Sequence, residues 1–180
     1  MIDKFYYDGK MGKDQRVNTI EMMRDSVRDG NIVGFKAWPG FNWKSDSITN
    51  LTHEEICDLT KERITFPLAS FLVGAETNCY FCYTWGWTDT DGTFVWYPEF
   101  DKWLGPPMGD AIREGYTYTR EFTYASVFVD LEEKTAKIDG YPFDEAIASP
   151  AFNHRKSKLL SVEMIAAWES INAEMIDPVR

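Results

Sequence analysis

Asn78-Cys-Tyr-Phe-Cys-Tyr-Thr-Trp-Gly-Trp87 is an aromatic run that ends in two tryptophans flanking a glycine. A short ring-rich segment bounded by turn residues predicts a β-strand, here over 79–85. The stretch Tyr97-Pro-Glu-Phe-Asp-Lys-Trp-Leu-Gly-Pro-Pro107 follows as a loop that sets Glu99 and Asp101 between bulky side chains. Rings beside carboxylates suit a cleft that handles sugars, because pyranose faces stack on rings while hydroxyls hydrogen-bond to acids.

Upstream, the chain alternates helix and strand. Val17, Ile20, Met23 and Val27 recur at helical spacing and predict a helix over 14–29, stopped by Gly30. Residues 31–38 then form an apolar strand ended by Pro39-Gly40. Thr52 and Glu55 make a capping box that opens a helix through Arg63. Pro67 starts a second helical segment to Ala75, with Leu68, Phe71 and Leu72 on its buried face. This rhythm predicts an α/β fold, a parallel sheet or a partial (β/α) barrel-like one. Working residues in such folds sit at the C-terminal strand ends, expected here at Asp3, at Lys36 with Trp38, and at Trp85 with Trp87.

Downstream the period changes. A helical turn is expected near 109–113. Strands at 116–130 and 135–138, joined by a polar turn, read as an antiparallel β-hairpin module. Val162, Ile165, Trp168, Ile171 and Met175 predict an amphipathic C-terminal helix over 161–175. The expected division is a barrel-like region at 1–115 and a hairpin tail with helix at 116–180.

At 180 residues and 16% aromatic content the chain can bury a substantial core. Its formal charge of −10 argues against a nucleic-acid partner and makes a strongly anionic polysaccharide a poor fit. No apolar run of about 18 residues predicts a membrane span. Residues 1–8 lack the apolar core of a secretory signal, which fits an intracellular protein, a mature product or a fragment. The sequon at Asn50 to Thr52 is of a kind common by chance, and localisation stays open.

Three cysteines make no disulfide framework. Cys79 and Cys82, with His53 and Cys57 four apart on a helix, offer ligand types that zinc accepts. Residues three apart on a strand point to opposite faces, however, so buried thiols are the expectation, with no metal and no cofactor. His154 has no visible nucleophile partner for a triad, and no Gly-rich phosphate loop is present.

Four blocks, Leu68 to Ala75, Tyr80 to Trp87, Tyr97 to Gly109 and Tyr118 to Phe122, resemble the closing part of glycoside hydrolases built on a (β/α)8 barrel. The resemblance spans roughly residues 30–139. It implies a last barrel strand followed by a proline-glycine loop and a β-rich tail. It also implies acid/base hydrolysis of an oligosaccharide or polysaccharide. A full barrel needs about 250 residues, so the resemblance implies a fragment, a split gene, or a partner chain that completes the barrel.

Hydrolysis of a glycosidic bond usually uses two carboxyl groups, about 5 Å apart for retention and about 6.5–9.5 Å for inversion. Asp3, Glu99 and Asp101 are the catalytic candidates. Glu99 and Asp101, two apart, would share one face of an extended segment, although a turn-capping acid and a salt-bridging acid explain them as readily. Lys36, Trp38, Trp85, Trp87 and Arg120 are the substrate-binding candidates. Against these stand core packing for the tryptophans, a solvent-reaching lysine, and a local salt bridge for Arg120. The alternatives to an enzyme are a non-catalytic carbohydrate-binding module and a structural subunit of a larger assembly.

Overall fold

Strand β2 (Val33–Trp38) is the middle of a parallel sheet, and its sequence shows why. The run Val-Gly-Phe-Lys-Ala-Trp is apolar apart from Lys36, as suits the central strand of a parallel sheet. The computed structural model describes residues 2–6, 11–93 and 95–140. It pairs β2 with β1 (Ile2–Tyr6) on one side and β3 (Cys79–Tyr83) on the other, all parallel, in the order β1-β2-β3. Val33, Phe35 and Ala37 lie opposite Cys79, Phe81 and Tyr83. Strand alternation sends this set to one face, and Gly34, Lys36 and Trp38 with Tyr80 and Cys82 to the other.

Helices cover the first face. Helix α1 (Lys13–Arg28) buries Val17, Ile20, Met23 and Val27, the stripe its sequence predicts. Gly30, at φ +88°, takes the left-handed turn that ends it. Helix α2 (His53–Arg63) opens with the Thr52–Glu55 capping box. Helix α3 (Thr65–Leu72) starts two residues before Pro67, whose missing N–H falls in the first turn where no intrahelical partner is required. Every residue of α3 from Phe66 to Leu72 is buried, because α3 packs against β2 and also against the second sheet.

That sheet is an antiparallel meander of β4 (Ile112–Glu114), β5 (Thr117–Glu121), β6 (Ala125–Asp130) and β7 (Thr135–Gly140). It corrects two expectations. The turn expected at 109–113 is helical nowhere and feeds β4. The single strand expected over 116–130 is two, reversed at 122–124 by a turn in which Phe122 N–H donates to Ala125 O at 2.8 Å. Phe-Thr-Tyr contains no Gly, Pro, Asn or Asp, so the usual turn chemistry gave no signal there. The turn expected after β6 is present, with the Asp130 carboxylate accepting the Glu132 and Glu133 N–H groups at 2.9 Å each.

One apolar cluster runs from Phe5 through Phe35 and Phe71 to Val127 and Ile138, across the expected division at 115/116. Polar ties join α1 to the meander: Lys13 to Glu132, Tyr116 hydroxyl to Asp14 at 2.7 Å, and Tyr118 hydroxyl to Glu21 at 2.8 Å. The product is a mixed α/β protein with α1 and α3 touching both sheets. Among the described residues no helix is long and apolar enough to cross a membrane. The helix expected at 161–175, like His154, lies outside the described residues.

Candidate functional site

The helix-free face of the parallel sheet carries the unusual chemistry. Lys36 points there from the middle of β2 and is only 7% exposed. Its Nζ lies 3.2 Å from the centroid of the Trp87 ring and 4.4 Å from that of Trp38, and donates to Gly86 O at 2.9 Å. A buried ammonium demands compensation, and two π faces and a carbonyl contribute to it. Trp38 in turn stacks on Trp43 (6.2 Å, 29°) and meets Trp87 edge-on (5.8 Å, 67°). Trp38 is buried, whereas Trp43 is 44% and Trp87 58% exposed. Beside these rings runs a groove of about 310 Å³, lined by Gly34, Lys36, Tyr80, Cys82, Thr84 and Trp87 among others.

Local sequence explains the placement. After β2, Pro39-Gly40 reverses the chain, with Gly40 at φ +91°. Trp43 N–H then donates to Trp85 O at 2.9 Å, which brings the Trp43 ring alongside Trp38. After β3, the loop 84–92 folds back on Asp91. The Asp91 carboxylate accepts the Trp87 and Thr88 N–H groups at 3.0 and 3.1 Å, and its carbonyl accepts Trp85 N–H at 3.0 Å. Burial pushes the Asp91 carboxyl up. The hydrogen bonds from Thr88 and Trp87 and the nearby Lys36 charge outweigh that and hold it below the usual carboxylate range.

The expected site residues separate into two groups. Lys36, Trp38 and Trp87 come together. Trp85 does not line the groove: it is 3% exposed and packs with Phe41, Ile48 and the His53 ring. Arg120 is 2% exposed and fully engaged in the framework. It donates to Leu72 O and Ala75 O at the end of α3 and to Gly109 O, and pairs with Glu76 at 3.3 Å.

Asp3 is the second residue of β1 and not its C-terminal end, which is Tyr6, paired with Trp38. The register sets it level with Lys36, between the Ile2–Phe35 and Phe5–Ala37 pairs. Glu99 and Asp101 fall on a 3-10 turn (Pro98–Asp101) rather than an extended segment, so residues two apart diverge instead of sharing a face. Thr65 hydroxyl donates to Glu99 at 3.4 Å, and Trp96 Nε1 donates to Asp101 at 3.0 Å. The turn docks through Tyr97 and Phe100 on Tyr83 and Phe81, on the helix-covered side of β3.

Cys79 and Cys82 point to opposite faces of β3, Cys79 half-buried and Cys82 exposed rather than buried as expected, and desolvation by the surrounding side chains pushes both thiols up. Cys57 Sγ is 3.5 Å from His53 Nε2, with its thiol likewise raised by burial. Among the described residues no group of three or more His, Cys, Asp or Glu side chains gathers to hold a metal.

Sequence reasoning missed Trp43, Tyr80 and Asp91 as members of this site. Tyr80 was legible from alternation, since it is two residues from Cys82 and opposite Gly34. Trp43 and Asp91 reach the site through loop closures that no periodicity encodes.

An α/β protein with an exposed tryptophan cluster at the C-terminal edge of a parallel sheet is the class that fold and site define. The chain belongs to the hypothetical glycosyl hydrolase family 15, whose family model matches residues 1–126. That family description implies a glycosyl hydrolase-like function and carbohydrate substrates. No curated protein matches the chain.

Proposed function

We propose that this is a carbohydrate-active protein that binds an oligosaccharide or polysaccharide along the open face of its parallel sheet. Trp87 is the stacking platform, Trp43 extends it, and Lys36 fixes the Trp87 ring from below. The observation that carries the proposal is the 58% exposed Trp87 ring held over a buried lysine, beside a groove of about 310 Å³. A rigid, solvent-facing ring offers an apolar plate to a sugar face at little entropic cost.

Acid/base hydrolysis, which the family description implies, needs a carboxyl pair at the scissile bond. Glu99, bonded to Thr65, and Asp101, bonded to Trp96, stand apart from the groove lining, so the further carboxyl would come from Asp3 or from a partner chain that completes the barrel. The partial barrel is proposed on the same footing. Its support is three parallel strands in consecutive order with helices in each crossover.

Screening wild-type protein against a panel of soluble glycans, for binding and for released reducing ends, tests both parts. Binding without turnover supports the binding module. Turnover abolished by Glu99→Gln or Asp101→Asn would restore those acids to catalysis.

A further inference from the structure

We infer that Asp91 is a positioning residue that sets the Trp87 ring over Lys36, so that the loop 84–92 acts as a fixed mount for the platform. The inference rests on the glycan-binding reading for its purpose, but its geometry stands alone. The Asp91 carboxylate takes both backbone N–H groups that follow Gly86, those of Trp87 at 3.0 Å and Thr88 at 3.1 Å. Asp91 O takes Trp85 N–H at 3.0 Å and the Thr84 hydroxyl, which closes the loop on its other side. Lys36 Nζ then holds Gly86 O at 2.9 Å, so the peptide carrying Trp87 is gripped from above and below.

Two glycines make the mount possible. A Cβ on Gly86 would come within 2.0 Å of Asp91 Oδ2, so only glycine lets the carboxylate close on the loop. A Cβ on Gly92, at φ +85°, would meet the Trp85 ring at 2.3 Å. The buried Trp85 ring is thus the floor on which the turn after Asp91 rests. Without the two carboxylate bonds, the N–H groups of Trp87 and Thr88 lose their acceptors and the ring loses its fixed orientation.

The test uses the full chain in the variants Asp91→Ala, Asp91→Asn and Gly86→Ala, with Trp87→Phe as reference. Trp38 and Trp87 are close enough to couple as chromophores, so circular dichroism near 230 nm reads their mutual orientation without any ligand. The Trp87→Phe difference spectrum isolates that signal. Asp91→Ala and Gly86→Ala are expected to lose it, while Asp91→Asn, which keeps an acceptor oxygen, retains most of it. Calorimetric titration with cello-, malto- and chito-hexaose is expected to show about tenfold or more weakening in the first two variants and near-wild-type binding in the third.

An unchanged couplet in Asp91→Ala would overturn the mount. If Asp91→Ala does not fold, an unchanged couplet in Gly86→Ala would do so. Loss of the couplet in Asp91→Ala and its recovery in Asp91→Asn, in a protein that binds none of the three probes, upholds the mount and removes these glycans as its purpose.

Discussion

Lys36 Nζ sits 3.2 Å from the centre of the Trp87 ring, buried beneath a side chain that is more than half exposed. A cation held under an aromatic face is worth about 0.5–2 kcal/mol, and the bond to Gly86 O adds roughly 1 kcal/mol. Lys36→Met keeps the aliphatic stem and removes these two terms among the interactions of the ammonium. It is expected to lower stability by about 1–2 kcal/mol in urea unfolding, and to weaken glycan binding. Unchanged values in both assays would mean that Lys36 does not support the platform.

Arg120 predicts the opposite separation of effects. Its guanidinium ties β5 to the C-terminal carbonyls of α3 and to Glu76 while almost fully buried. Removing such a hub leaves several acceptors unsatisfied, which costs about 3 kcal/mol or more. Arg120→Met is expected to shift the denaturation midpoint strongly and to leave glycan affinity of the folded protein unchanged. Lysine should rescue little, because it lacks the planar fork that reaches Leu72, Gly109 and Glu76 together. A stable Arg120→Met variant that no longer binds glycan would return Arg120 to the binding surface.

Tyr97 gives a stabilising prediction. The side chain is 1% exposed, and its hydroxyl is buried with no hydrogen-bond partner among the described residues. Burial pushes the phenol far above its usual range. Tyr97→Phe removes the unsatisfied group and keeps the ring against Tyr83 and Phe100. An increase in stability of about 1 kcal/mol is expected. A loss of stability would show that the hydroxyl has a partner.

Asp91 makes stability sensitive to acid. Its carboxyl titrates below the ordinary range in the folded chain, so the charged form is favoured by folding. The resulting stabilisation is fully present above the unfolded carboxylate pKa of about 4 and is lost as pH falls through the lower folded value. Stability should therefore hold from neutral pH to about pH 4 and fall below it, while the Trp38–Trp87 couplet persists in the folded chain, because the protonated carboxyl keeps an acceptor oxygen as Asp91→Asn does. In Asp91→Asn the share of the acid loss that Asp91 contributes should be absent. Identical acid profiles in the two proteins would place the titrating group elsewhere.

Much of the framework was legible because it rests on local chemistry. The α1 stripe, the Thr52–Glu55 capping box and the apolar β2 each carry a period or a cap that needs no tertiary context. Lys36 stood out for a related reason, as a charge inside an apolar run. What escaped depends on long-range closure. Trp85 and Trp87 share one face of an extended chain in principle. The loop after Tyr83 instead buries Trp85 against Phe41 and leaves Trp87 outside. Glu99 and Asp101 looked paired only while their segment was taken as extended, and the Pro98 turn separated them. Residue type drew attention to Lys36, Trp38 and Trp87, which the fold brings together, whereas the placement of each acid follows from backbone geometry.

The most direct measurement is calorimetric titration of the full chain with a panel of neutral hexasaccharides, comparing wild type, Trp87→Ala and Trp96→Ala. Trp96 is a fair control, since it is 66% exposed and bonded to Asp101 away from the groove. The expected result is binding by wild type and Trp96→Ala, with affinity reduced about tenfold or more in Trp87→Ala, equivalent to about 1.4 kcal/mol. Equal affinity in wild type and Trp87→Ala, or equal losses in both variants, would contradict a glycan platform at Trp87.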